Sequence, residues 1–234
     1  MHSGNYFDAS QTCLKVFFFP NFEQQPAPVN ELWKIFESYT YLLARVGIIP
    51  GNKQTGKFKV SRFLNEIQVF SKDKAGMNIP VLVIQFLFEL AEEKWSQIID
   101  RVENLAKYRN RYIDGQQAAR SHAFIRMLEL IPKSSFKLAD IEKRADTIFQ
   151  QLRAVPLEAA NQNHEIEIIP YEVLWTIALN ILGKPIITAN QSIQSTAAWY
   201  NSFHFQNLSV GNASQTGFFC IRALTGWLSY SPGI

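Results

Sequence analysis

The spacing of apolar side chains between residues 135 and 154 constrains the fold more than any other feature of the sequence. Apolar or small residues recur there at steps of three and four, at Leu138, Ile141, Ala145, Ile148 and Leu152. An α-helix has 3.6 residues per turn, so this spacing places all of them along one face. We expect a helix over 135–154 that buries this face and stops ahead of Pro156.

Similar stripes predict further helices in the first 183 residues. One begins near Tyr6 and is closed by Pro20. A second spans 30–46, with Asn30 as its N-cap, a buried face of Leu32, Ile35, Phe36 and Tyr39, and Gly47 at its end. Another helix opens after Asn78. Further helices cover 96–112, the stretch around 124–131, and 171–182. The short connections are typical of antiparallel neighbours, so the sequence predicts an all-α fold of helical hairpins.

One short run departs from the helical period. Residues 164–168 alternate polar and apolar, which is typical of a brief strand or an extended loop. In either case we expect Glu165 and Glu167 to lie on the solvent face. His164 has no second histidine at the spacing of a zinc site, so we assign no metal-binding role here.

Composition narrows the class of protein but not its partner. With 47% hydrophobic and 18% charged residues the chain is an ordinary globular mixture, and a net charge of +3 does not demand a nucleic acid. Cys13 and Cys220 form no redox or ligand pair, as expected in a reducing compartment. The longest apolar run, 79–90, is about half a membrane span. We expect a cytoplasmic protein without a signal peptide or membrane contact.

Two segments of the chain share a pattern. In 4–16 and in 93–105 an aromatic residue, Tyr6 or Trp95, stands three positions before a small or apolar one, and apolar residues then follow at helical steps. The first copy has a glycine at its turn, an aromatic, Ala9 at the close contact and Pro20 as a stop. It resembles the second helix of a tetratricopeptide repeat, and 32–47 resembles the first helix of a following repeat.

That resemblance implies two-helix repeats that stack into a superhelix and bind a partner protein. Pro20 comes one residue early, Glu93 replaces the turn glycine, and the two copies are not a multiple of the family's period apart. We therefore expect a degenerate α-solenoid over residues 1–183. Because the chain opens in what looks like the middle of a repeat, we expect it to be the C-terminal piece of a longer solenoid.

A glycine-rich segment offers a possible nucleotide site. Gly51 to Lys57 fits the phosphate-binding loop up to its last position, where Phe58 replaces the hydroxyl residue that holds magnesium. The segment follows a helix rather than a strand, and Phe58-Lys59-Val60 contains no helix start. A polar surface loop is the preferred interpretation, and nucleotide binding is the least favoured function.

Two segments are candidates for partner binding. The charged connection 70–78 precedes the most apolar helix, and it offers Lys72, Asp73, Lys74 and Asn78. A basic stretch with interleaved tyrosines contains Lys107, Arg109 and Arg111, which suits phosphates and stacked bases but also the end of a helix.

The sequence shows no catalytic signature, cofactor motif or metal-ligand set. The preferred function is a non-enzymatic scaffold that binds a protein or peptide. The alternative is an RNA- or DNA-binding helical protein.

The last 51 residues differ in character. Beyond Glu172 there is no acidic residue, and only Lys184 and Arg222 carry charge, yet aromatic residues are frequent. Residues 184–234 therefore form either a small β-rich appendage, with 221–228 as a strand, or a poorly ordered, non-native tail produced by an altered reading frame.

Overall fold

The computed structural model describes residues 1–51, 58–66, 78–113, 118–157 and 166–183, and within them every regular element is a helix. The α-helices are α1 (Tyr6–Phe17), α2 (Ala27–Arg45), α3 (Val60–Glu66), α4 (Asn78–Ala91), α5 (Trp95–Tyr112), α6 (Ala119–Lys133), α7 (Leu138–Ala154) and α8 (Tyr171–Gly183), with a 3-10 turn at Phe22–Gln24. The all-α prediction is confirmed for this part of the chain. Residues 184–234 lie outside it.

Most predicted stripes form the core, because each apolar face has a neighbouring helix to pack against. On α7, Ile141, Ala145, Ile148 and Leu152 are buried, and Leu138 is partly exposed at the start of the helix. On α2, Ile35 and Tyr39 are buried, whereas Leu32 and Phe36 are half-buried at the edge of the core.

Two predicted helix starts are wrong. Helix α2 begins at Ala27 with Pro28 in its first turn, so Asn30 lies inside the helix and is not its N-cap. Its side-chain amide instead donates a 2.9 Å hydrogen bond back to the carbonyl oxygen of Gln25. Helix α7 begins at Leu138 rather than Ser135, because Ser135 and Phe136 have left-handed φ angles of 52° and 60°.

A short helix begins where none was expected. The segment 58–60 leads directly into α3, and Phe63 of α3 is buried. Its ring centroid lies 5.8 Å from that of Phe58 and 6.5 Å from that of Phe88 on α4. Packing against α4 therefore stabilises a helix that has no start signal in its own sequence.

Consecutive helices pack as up-and-down neighbours from α4 to α8. The three-residue connection after α4 brings α5 back alongside it, and α6, α7 and α8 follow in the same way. Helices α2 and α4 run side by side in the same direction, since Tyr41 contacts Phe88 and Arg45 contacts Glu92. As a result the C-terminal ends of α2, α4 and α6 face one end of the bundle.

Helix α8 also packs against α4 and α6. A simple stack of repeats has contacts only between neighbours along the chain. The contact between α4 and α8 joins helices that are far apart in the chain. Both helices are apolar around most of their circumference, as burial on several sides requires. The solenoid therefore remains a prediction.

The last residue of α8, Gly183, is not left-handed as a helix-stop glycine would be. A Cβ atom added there would lie 3.1 Å from Cδ2 of Leu138 at the start of α7. The lack of a side chain thus permits a close approach between the end of α8 and the start of α7.

Candidate functional site

A buried polar cluster lies where α6 and α8 begin and α7 ends. Arg120 donates from Nε to Oε1 of Glu167 over 2.5 Å and from Nη2 to Glu172 over 2.7 Å. It also donates to the carbonyl oxygens of Leu152 and Val155, at 3.1 and 2.7 Å. Burial alone lowers the pKa of Arg120, but hydrogen bonds to Glu167 and Glu172, together with the attraction of their charges, outweigh burial and raise it. The arrangement fastens three helices together.

The position of Glu167 corrects a sequence prediction. We expected its carboxylate on the solvent face of an extended segment, but its side chain is only 1% exposed. The described part of that segment, 166–168, is a loop and not a strand. The carboxylate is drawn inward because Arg120 and the backbone N–H of Tyr171 both donate to it.

Helix α5 contributes an ion pair that involves a predicted binding residue. Arg109 donates from Nε to Oε1 of Glu129 over 2.9 Å, and its Nη1 lies 3.1 Å from Nε2 of His122. Its side chain is 16% exposed, so most of it is committed to α6. Lys107 is 76% exposed, and Arg111 is exposed with its guanidinium carbon 5.4 Å from the ring centroid of Tyr112. The structure thus presents two of the three basic side chains to solvent.

Most of the other predicted partner residues lie outside the part of the chain that the structure describes. Lys72, Asp73 and Lys74 lie outside the described residues, as does 52–57 of the glycine-rich segment. Asn78 is the first residue of α4 and is 8% exposed, so little of it is available to a partner.

An exposed apolar surface lies at the end of the bundle where α4 meets α5 and α6 meets α7. Trp95, the first residue of α5, is 40% exposed, and its ring centroid lies 4.6 Å from that of Phe136 in the α6–α7 turn. Ile99, one helical turn further along α5, is 47% exposed. Large apolar side chains exposed together are typical of surfaces that bind a partner.

A basic cavity adjoins this apolar surface. It has a volume of about 220 Å³ and lies between the end of α6 and the first turns of α7. The residues that line it are Lys133, Ser134, Ser135, Lys137, Asp140, Lys143 and Arg144. Phe136 lies in the chain between two of these residues, so the aromatic pair and the cavity share the α6–α7 turn. We call Trp95, Ile99, Phe136 and the cavity residues together the turn surface.

Hydrogen bonds and an ion pair fix two of the basic side chains that line the cavity, those of Arg144 and Lys133. Arg144 donates from Nη1 to the carbonyl oxygen of Lys133 over 3.0 Å and to the Ser134 hydroxyl over 3.1 Å. Lys133 Nζ lies 3.1 Å from Oε2 of Glu129, which neutralises part of its charge. Lys137 and Lys143 are exposed, and no side chain caps α7. Four basic groups against one acidic group, Asp140, give the cavity a positive potential.

Sequence reasoning missed the turn surface. The sequence pattern indicates Trp95 only as the aromatic of a repeat, and it indicates the residues after Ser135 only through their apolar stripe. A signal was present in the density of basic residues between 133 and 144, but it did not indicate that the α6–α7 turn gathers them beside Trp95.

The described residues contain no group of three or more His, Cys, Asp or Glu side chains placed to hold a metal ion. Among the same residues, no helix has both the length and the apolar character needed to cross a bilayer.

No known protein family matches this chain, and no curated protein or solved structure shows significant similarity to it.

Proposed function

We propose that the protein is a non-enzymatic interaction scaffold of helical hairpins, which binds another protein through the turn surface. The observation that carries the proposal is the contact between the exposed Trp95 and the half-buried Phe136, which lies in the turn that forms a positive cavity. Tryptophan and arginine are frequent among the residues that dominate binding energy in protein interfaces. Here both types lie on one small, helix-supported surface.

The geometry of the helix connections supports the repeat part of the proposal. Gly4 and Glu93, the two turn positions of the matched segments, have φ angles of 76° and 54°. The residues that follow them, Asn5 and Lys94, have nearly the same φ and ψ. In each copy the first helical N–H, of Tyr6 or Trp95, donates to the carbonyl oxygen two residues earlier over 2.9 Å. The two helices thus start through the same backbone conformation.

Site-specific photo-crosslinking tests the proposal in cells that produce the protein. A photoreactive residue in place of Ile99 should crosslink to a discrete partner protein, because this position is exposed next to Trp95. Phe7 provides a matched control, since it is 49% exposed but lies on α1. Trp95→Ala should abolish the Ile99 crosslink. Equal crosslinking from both positions, or a crosslink that survives Trp95→Ala, would contradict the proposal.

The alternative function, nucleic-acid binding through Lys107, Arg109 and Arg111, is favoured by one observation: Arg111 and Tyr112 are exposed side by side at the end of α5. A salt-dependent mobility shift with RNA or DNA that is lost when all three basic residues are replaced by alanine would support it.

A further inference from the structure

We propose that the turn surface binds an acidic peptide segment that carries a large apolar side chain. This inference rests on the proposed function and adds the chemistry of the partner. The apolar side chain packs against Trp95 and Phe136, and the acidic residues on either side of it face the basic cavity.

Charge complementarity indicates the acidic character of the partner. Lys137 and Lys143 are exposed and Arg144 is positioned at the cavity by its two hydrogen bonds, so three cations face the same space. Carboxylates of a partner would pair with them and reduce their mutual repulsion. Ser134 and Ser135 line the same cavity and add hydrogen-bonding capacity.

The apolar requirement follows from the neighbouring aromatic pair. The rings of Trp95 and Phe136 are in contact at an interplanar angle of 54°, and Phe136 also packs against the core. Ile99 extends the apolar surface by one turn along α5. A purely acidic ligand would leave this apolar surface in water, whereas an aromatic or aliphatic side chain on the ligand would bury it.

The size and borders of the positive surface favour a peptide over a nucleic acid. Nucleic-acid binding relies on a series of basic groups that follow a phosphate backbone. Here four basic residues line one cavity that also contains Asp140, and the exposed Glu142 and Asp146 lie further along α7. Such a surface fits a few carboxylates but not a long phosphate track.

Fluorescence polarisation on the full chain tests the inference. The probe is a short fluorescein-labelled peptide of glutamate, glycine and serine with one central phenylalanine. We expect salt-sensitive binding that weakens about tenfold or more in the double variant Lys137→Glu/Lys143→Glu, since reversed charges repel the probe. The matched control is Lys15→Glu/Arg153→Glu, which makes the same change of charge at exposed positions on α1 and α7 away from the cavity, and it should bind nearly as the parent does.

Two altered probes separate the contributions. A peptide with serine in place of phenylalanine should bind several-fold more weakly to the parent and show no further loss on Trp95→Ala. A peptide with glutamine in place of glutamate should not bind. The inference is overturned if both double variants bind the acidic peptide equally, if no peptide binds, or if a uridine oligonucleotide binds in a cavity-dependent manner and the peptide does not.

The proposed function does not depend on the partner being an acidic peptide. If the Ile99 crosslink depends on Trp95 but is unchanged by Lys137→Glu/Lys143→Glu, the surface binds a protein of other chemistry. If the crosslink is absent as well, both the function and the inference fail.

Discussion

Arg120 and Glu167 form an ion pair inside the protein, with side chains only 5% and 1% exposed. The two residues are 47 positions apart in the chain, and two hydrogen bonds join their side chains, at 2.5 and 3.1 Å. Glu172 also accepts from Arg120, and the backbone N–H of Tyr171 donates to Glu167. The pair joins the start of α6 to the loop that leads into α8.

Breaking this pair should destabilise the fold strongly. For Glu167→Gln we expect a loss of about 3–5 kcal/mol in the free energy of unfolding, because a buried guanidinium loses its main counter-charge. Glu172→Gln is the control and should cost less, because that side chain is 25% exposed. Urea unfolding followed by circular dichroism measures both. A loss below about 1 kcal/mol for Glu167→Gln would show that water or another group compensates for the missing charge.

The apolar face of α7 provides a second test. Ile148 is 8% exposed, and Ile148→Ala should cost about 2–5 kcal/mol because it leaves a cavity against the neighbouring helices. Its neighbour Thr147 is exposed, so Thr147→Ala should change stability by less than about 0.5 kcal/mol. Thermal and urea unfolding of both variants measure the difference. Similar losses of stability in Ile148→Ala and Thr147→Ala would contradict the assignment of the buried face.

Glycine in place of Glu93, in the turn between α4 and α5, should stabilise the folded protein. Glu93 has a left-handed φ of 54° and its N–H donates to the carbonyl oxygen of Leu90, as at a helix end closed by glycine. Since this conformation costs a residue with a side chain roughly 1–2 kcal/mol, Glu93→Gly should raise stability by up to about 1 kcal/mol.

Gly47 supplies the reverse experiment, because it ends α2 with a φ of 80° and the same hydrogen-bond pattern. Gly47→Ala should lower stability by about 1 kcal/mol. If both substitutions changed the unfolding free energy in the same direction, backbone strain would not be the cause.

Stability should fall at acidic pH partly because of His122. Its pKa lies below the ordinary value, mainly through burial and also because Arg109 and Arg126 repel a second positive charge. The unfolded chain therefore takes up a proton at pH values where the folded protein does not, and stability decreases as the pH falls below about 6.5.

Replacing His122 with glutamine should reduce this pH dependence, so the stability difference between parent and variant should narrow from pH 7 to pH 5. His2, whose pKa is also lowered by burial, accounts for part of the dependence that stays. A His122→Gln variant with an unchanged pH profile would contradict this explanation.

The thiol of Cys13 should be inert in the folded protein. It is 3% exposed, and burial raises its pKa far above the range in which a thiolate forms at neutral pH. In a Cys220→Ser variant, a thiol reagent at pH 8 should react only as fast as the protein opens, and denaturant should speed the reaction sharply. Rapid reaction without denaturant would show that α1 separates easily from α2.

Much of the helical structure could be predicted from local sequence. The stripe on α7, the glycine that ends α2, the proline in the first turn of α4 and the extent of α5 and α8 were all predicted to within a few residues. Each depends on groups three or four positions apart, and the helix itself brings such groups together. The errors at Asn30 and Val60 arose where contacts between segments determine a helix start.

Only the tertiary structure decided which charges lie inside and which form a surface. The sequence by itself determined the helices, because their period is a local property of the chain. It did not indicate that Glu167 would be buried, since its partner Arg120 lies on another helix. The turn surface has the same origin: Trp95 and Phe136 meet because α5 and α6 are antiparallel, and the α6–α7 turn gathers the basic residues of the cavity on either side of Phe136.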